Sequence, residues 1–109
     1  MKHIRILVAA AAAFAVPFGA SAQDVAAAEA LAKKSGCMKC HSVSAKKEGP
    51  SFKATAAKYK GKPDAEKALT TFLTSSPKVK IDGREEMHEV PKTKNEAEIG
   101  NLVKYILSR

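Results

Sequence analysis

Read for the spacing of its apolar positions, the chain divides into one unbroken apolar run and four stretches of helical period. The unbroken run extends from Ile6 to Phe18. The first periodic stretch follows Asp24, a residue suited to cap a helix, and reaches about Ser35. It is rich in Ala, contains Leu31 and is ended by Gly36. A shorter helix is predicted over Ser51 to Lys60, with Phe52, Ala56 and Tyr59 on one side and Gly61 as its stop. Lys62-Pro63-Asp64 opens a third. There Ala65, Ala68, Leu69, Phe72 and Leu73 follow the i, i+3, i+4, i+7, i+8 stripe of a half-buried helix, ending near Ser75-Ser76-Pro77. The fourth is the clearest. Asn95 caps it, Glu96 and Glu98 suit the positive end of its dipole, and Ile99, Leu102, Val103, Ile106 and Leu107 form its apolar face. Little of the chain alternates as a strand would, the exception being Lys78-Val79-Lys80-Ile81. The pattern predicts one all-α domain with a long connection between Pro77 and Lys94. Connections of that length in small domains usually carry function.

The apolar run near the start is not part of that domain. Lys2, His3 and Arg5 precede it, and the small residues Ala20-Ser21-Ala22 follow it. That order is the pattern of a secretory signal peptide. The run is too short for a membrane span, which needs about 20 apolar residues. Cleavage after Ala22 leaves residues 23–109, 87 of the 109. This mature chain has no second apolar run, so no membrane span is expected after cleavage.

Charge narrows the partners. Removing Lys2 and Arg5 from 19 basic residues leaves 17 against 11 acidic ones, a net charge of +6. Such a surface speeds encounter with acidic partners. Nucleic acid is not expected, because the chain is exported and shows no basic stripe interleaved with aromatics. A domain this short buries a modest core and often relies on staples, metals or cofactors. The chain contains no Trp, and a large planar cofactor would supply the missing apolar surface.

The two cysteines stand in Cys37-Met38-Lys39-Cys40-His41. Cys-x-x-Cys-His is the attachment motif of c-type haem. Two thiols at i and i+3 on one helical turn can reach the two vinyl groups on one edge of a porphyrin. The next residue, His41, then lies under the ring, where its imidazole can bind iron. Competing uses fit less well. A redox-active disulfide is typically found near a βαβ pattern, which is lacking here. Zinc would need four ligands from Cys37, Cys40, His41 and His88, with His41 awkwardly beside Cys40. A structural disulfide would leave His41 without a role.

With these residues in view, the chain resembles the class I cytochromes c, most closely the small bacterial monohaem type. The resemblance rests on Gly36-Cys37-Met38-Lys39-Cys40-His41 and on Gly49-Pro50. It extends through Ser51-Phe52-Lys53-Ala54-Thr55-Ala56-Ala57-Lys58-Tyr59 and to Tyr105-Ile106-Leu107-Ser108 near the end. It implies about four helices wrapped around one covalent haem c, with the first and last crossing where Leu31 could meet Leu102 or Tyr105. Cys37 and Cys40 would attach the haem and His41 would bind the proximal side of its iron. The Pro50 carbonyl would accept a hydrogen bond from the His41 ring and fix its orientation. On the distal side the family pattern favours Met87, in the loop before the last helix. That pattern expects Pro next, however, and the next residue is His88, which makes His88 the alternative ligand.

The implied function is one-electron transfer between redox proteins in the periplasm, with no enzymatic activity, since an iron closed on both faces has no place for substrate. Lys33, Lys34, Lys39, Lys46 and Lys47 flank the haem motif and could form a basic rim that orients an acidic partner. A further reading is a dedicated electron-accepting subunit of a periplasmic dehydrogenase, which changes the partner but not the chemistry. The alternative from another class is a haem-based sensor or ligand-binding protein with a displaceable distal ligand.

Overall fold

Three of the four helices begin on capping chemistry that is written locally in the sequence. In α1 (Val25–Lys34) the Asp24 carboxylate accepts a hydrogen bond from the Ala27 N–H at 3.0 Å, and Lys33 and Lys34 sit at the negative end of the dipole. Gly36, with φ of 77°, stops it and leads into a single 3₁₀ turn at Cys37–Lys39. In α2 (Phe52–Tyr59) Ser51 Oγ accepts from the Ala54 N–H at 3.0 Å. In α4 (Glu96–Leu107) Asn95 Oδ1 accepts from Ala97 at 2.9 Å and from Glu98 at 3.3 Å. Asp64 stands at the start of α3 (Ala65–Thr74) without a side-chain capping bond. These elements come from a computed structural model that describes residues 23–109, together with Ala12 alone of those before them. The expected signal peptide therefore lies outside the described residues.

The long connection holds more order than its sequence suggests. β1 (Lys78–Ile81) is the one alternating run. It pairs antiparallel with β2 (Arg84–Met87) in a register that sets Lys78 opposite Met87 and Ile81 opposite Arg84. Asp82 and Gly83 join the strands with φ of 50° and 79°. Two successive positive φ values belong to the two-residue hairpin turn for which Asp-Gly is a preferred pair. The all-helical reading thus holds for the domain, with a small hairpin added between α3 and α4.

The core forms around α4, which packs against α1, α2 and α3. Leu102, Val103, Tyr105 and Ile106 are all but inaccessible. They form one cluster with Ala28, Leu31, Ala32, Phe52, Leu69 and Leu73. The expected crossing of the first and last helices is present as α1 against α4, with Leu31, Leu102 and Tyr105 all members of this cluster. Polar ties fix the crossing of the first and last helices. Asn101 Nδ2 donates to the Asp24 carbonyl at 2.8 Å, and Asn101 Oδ1 accepts from the Asp24 N–H at 2.8 Å.

At the other end of α1, the buried Ser35 accepts through Oγ from the Lys92 N–H at 2.8 Å. That bond joins the end of α1 to the segment leading into α4. Ser35→Ala removes the acceptor and should cost about 1 kcal/mol, seen as a fall in melting temperature of roughly 4–8 °C for a domain of this size. An unchanged melting temperature would show that water replaces the hydroxyl at no cost.

Candidate functional site

The 3₁₀ turn carries the motif to the edge of a slot. Gly36 supplies the reversal, so Cys37 packs partly buried against the core while Cys40 turns outward, its Sγ 3.4 Å from a Glu48 carboxylate oxygen. Both thiols are held above their ordinary range. For Cys37 the main cause is burial. For Cys40 burial is followed by the Glu48 hydrogen bond and charge. The cysteines of thiol–disulfide enzymes have depressed values that favour thiolate. These two have the opposite bias, which argues against that use.

His41 is fixed with care. Its Nδ1 lies 2.6 Å from the Pro50 carbonyl oxygen. A carbonyl can only accept, so Nδ1 carries the proton and, in the neutral ring, Nε2 keeps its lone pair free for a metal. The loop that presents Pro50 is fastened to the motif, since the Gly49 N–H donates to the Cys40 carbonyl at 2.7 Å and the Phe52 N–H to that of Ser42 at 2.9 Å. The His41 ring stacks on Phe52, centroids 5.6 Å apart at 25°. Gly49 lies against that ring so closely that a Cβ there would stand 2.5 Å from Cε1 and 2.9 Å from Nδ1. Nothing in the sequence around Gly49-Pro50 marks this need for glycine, because it depends on a contact made only after the loop closes.

Two hollows adjoin the motif, and Cys37, His41 and His88 line both. The inner one is walled by Phe52, Leu69, Leu73, Leu102 and Ile106, with Lys58 and Tyr59 at its rim. The outer one reaches Gly36, Cys40, Ile81 and Met87. The imidazoles of His41 and His88 both line each hollow, ring centroids 6.0 Å apart. Met87 borders the outer hollow from the end of β2, but 59 % of its surface is exposed. So the structure brings Cys37, Cys40, His41, Pro50 and His88 around one apolar slot and leaves Met87 at its edge. Among the described residues no group of three or more His, Cys, Asp or Glu side chains is placed so that it could hold a metal ion by itself. An apolar slot with two thiols at one edge and an oriented imidazole inside suits a planar, thiol-tethered metal macrocycle.

Lys33, Lys34, Lys39, Lys46 and Lys47 are all exposed around the motif. Lys47 Nζ also donates to the Met38 carbonyl at 2.7 Å. None of the helices among the described residues is long and apolar enough to cross a membrane.

Comparison with known proteins agrees with this geometry. The family model described as cytochrome c matches residues 25–109. Cytochrome c-552 of Hydrogenobacter thermophilus is 39% identical over 83 residues, 73% of this chain and 79% of that protein. Cytochrome c-551 of Allochromatium vinosum is 41% identical over 81 residues, 71% of this chain and 80% of its own length. Among solved structures, the class 1 cytochrome MtoD from Sideroxydans lithotrophicus ES-1 superposes with a TM-score of 0.76 at 47% identity, covering 80% of this chain and 97% of that one. Cytochrome c552 of Nitrosomonas europaea gives 0.57 at 31% identity, over 73% and 96%. The cofactor is one covalently bound haem c, whose attachment motif Cys37, Cys40 and His41 fit. With motif, slot and relatives in agreement, this chain belongs to the cytochrome c family, as a class I type.

Proposed function

We propose that this chain is a periplasmic one-electron carrier, exported by cleavage after Ala22, with residues 23–109 as its working domain. Cys37 and Cys40 tether the haem and His41 binds the proximal side of its iron. The haem supplies an iron that cycles between Fe(III) and Fe(II). The observation that carries the reading is the His41 ring, oriented by Pro50 beside the cysteine pair with Nε2 free, inside an apolar slot. Everything else is the work of the chain. The Pro50 carbonyl holds the ring in one tautomer and raises its basicity as a ligand. Phe52, Leu69, Leu102 and Ile106 exclude water from the inner face. Closing both faces of the iron leaves no site for substrate, which makes the protein a carrier rather than an enzyme.

The exposed lysines about the motif give the exchange its direction in space. They are exposed and flank Cys37 and Cys40 in the chain, and they favour a redox partner with an acidic docking surface. A redox titration of the purified protein should follow a reversible one-electron curve. Its rate of exchange with an acidic redox protein should fall as salt screens the charges. A reduced protein that binds carbon monoxide readily at neutral pH would favour a ligand sensor instead.

A further inference from the structure

We propose that the imidazole of His88, and not the thioether of Met87, binds the distal side of the iron, which makes this a bis-histidine member of a family whose pattern leads one to expect methionine. The proposal rests on the haem reading above and adds the sixth ligand.

The spacing is the first reason. A metal–imidazole bond is about 2 Å long, and the ring centre lies roughly 1 Å beyond the nitrogen, so two imidazoles sharing one iron need centres about 6 Å apart. The His41 and His88 centroids are 6.0 Å apart. Their planes differ by 49°, which rotation of either ring about a common axis accommodates.

Proton placement is the second. His88 Nδ1 lies 2.7 Å from the Glu89 carbonyl oxygen. That acceptor requires a proton on Nδ1, so the neutral ring keeps its lone pair on Nε2, as in His41. Both imidazoles are therefore set up in the same tautomer by a backbone carbonyl, the usual support of a metal-binding histidine.

The third reason is how firmly the residue is held. The His88 N–H donates to the Pro77 carbonyl at 2.8 Å, and its carbonyl accepts from Ser76 Oγ at 2.7 Å. Phe72 meets the ring edge-on, with centroids 5.1 Å apart. These bonds close the base of the hairpin just beyond the Lys78–Met87 pair. His88 thereby lines both hollows, whereas Met87 borders only the outer one and is largely exposed.

The test is the absorption and paramagnetic resonance spectra of the ferric holoprotein, on samples whose covalent haem has been quantified as the pyridine haemochrome. The wild type should be low-spin without the far-red band of a methionine sulfur–ferric iron bond. Met87→Ala should leave spectra and midpoint potential unchanged. His88→Ala should become high-spin and bind carbon monoxide when reduced. His88→Met should gain the far-red band and a higher potential, because thioether favours the reduced iron. A haem-loaded wild type showing that band, lost in Met87→Ala, would overturn the proposal and leave the carrier reading standing, as would a His88→Ala protein that keeps the wild-type low-spin spectrum. A sample without covalent haem would overturn both.

Discussion

Gly49→Ala should abolish most of the wild-type haem spectrum, although it adds a single methyl group to a loop. The new Cβ would lie 2.5, 2.9 and 3.1 Å from Cε1, Nδ1 and Nε2 of His41, all closer than ordinary packing permits. The ring cannot simply retreat, because Phe52 stacks on it and Pro50 holds Nδ1 at 2.6 Å. Either the Pro50 bond breaks or the imidazole swings away from its place beside the cysteines. In the first case the tautomer is no longer fixed, and in the second Nε2 no longer meets the metal. Overpacking of this kind costs about 1–3 kcal/mol in stability, but the larger loss falls on ligation. The measurement is the yield of low-spin holoprotein per mole of purified chain. Gly100→Ala serves as control, since a Cβ there meets nothing within 4 Å and alanine is the better helix former. A Gly49→Ala protein with wild-type yield and spectrum would show that the loop gives way without consequence.

Leu102→Ala should be the most destabilising of the simple core truncations. Leu102 is 0% exposed and lies on α4, the helix on which α1, α2 and α3 converge. One side of it also lines the inner hollow, so the cavity left by truncation would open toward the haem. Buried Leu→Ala changes cost about 2–5 kcal/mol, with the upper values where the site cannot collapse. Here a rigid macrocycle on one side limits collapse. A fall in melting temperature of about 10 °C or more is expected, with the low-spin spectrum kept because no ligand is touched. A small thermal change would mean that neighbouring side chains refill the space.

Much of the fold was legible because its signals are local. Asp24, Ser51 and Asn95 cap the helices that follow them, and the apolar stripe of α4 faces the core as its period requires. The hairpin was not read, since every residue of β2 from Arg84 to Met87 is exposed and no burial pattern marks it. The pair Asp82-Gly83 was the available signal, and its two positive φ values show what it encodes. The site divides in the same way. Cys37, Cys40 and His41 are adjacent in sequence and follow from the chemistry of attachment, and Pro50 came from a family resemblance. How Met87 and His88 stand to the hollows was beyond the sequence, because it depends on how the segment after β2 is tied back to Pro77 and Ser76.

A porphyrin joined to Cys37 and Cys40 by thioether bonds underlies every property proposed for this protein. Each bond forms by adding a thiol across a vinyl group, so nothing leaves and the full mass of one haem is gained. Intact mass under denaturing conditions, on protein purified from cells able to attach haem, reads this directly. The predicted result is residues 23–109 plus one haem. The mass of the bare polypeptide, with any haem colour lost on denaturation, would contradict it.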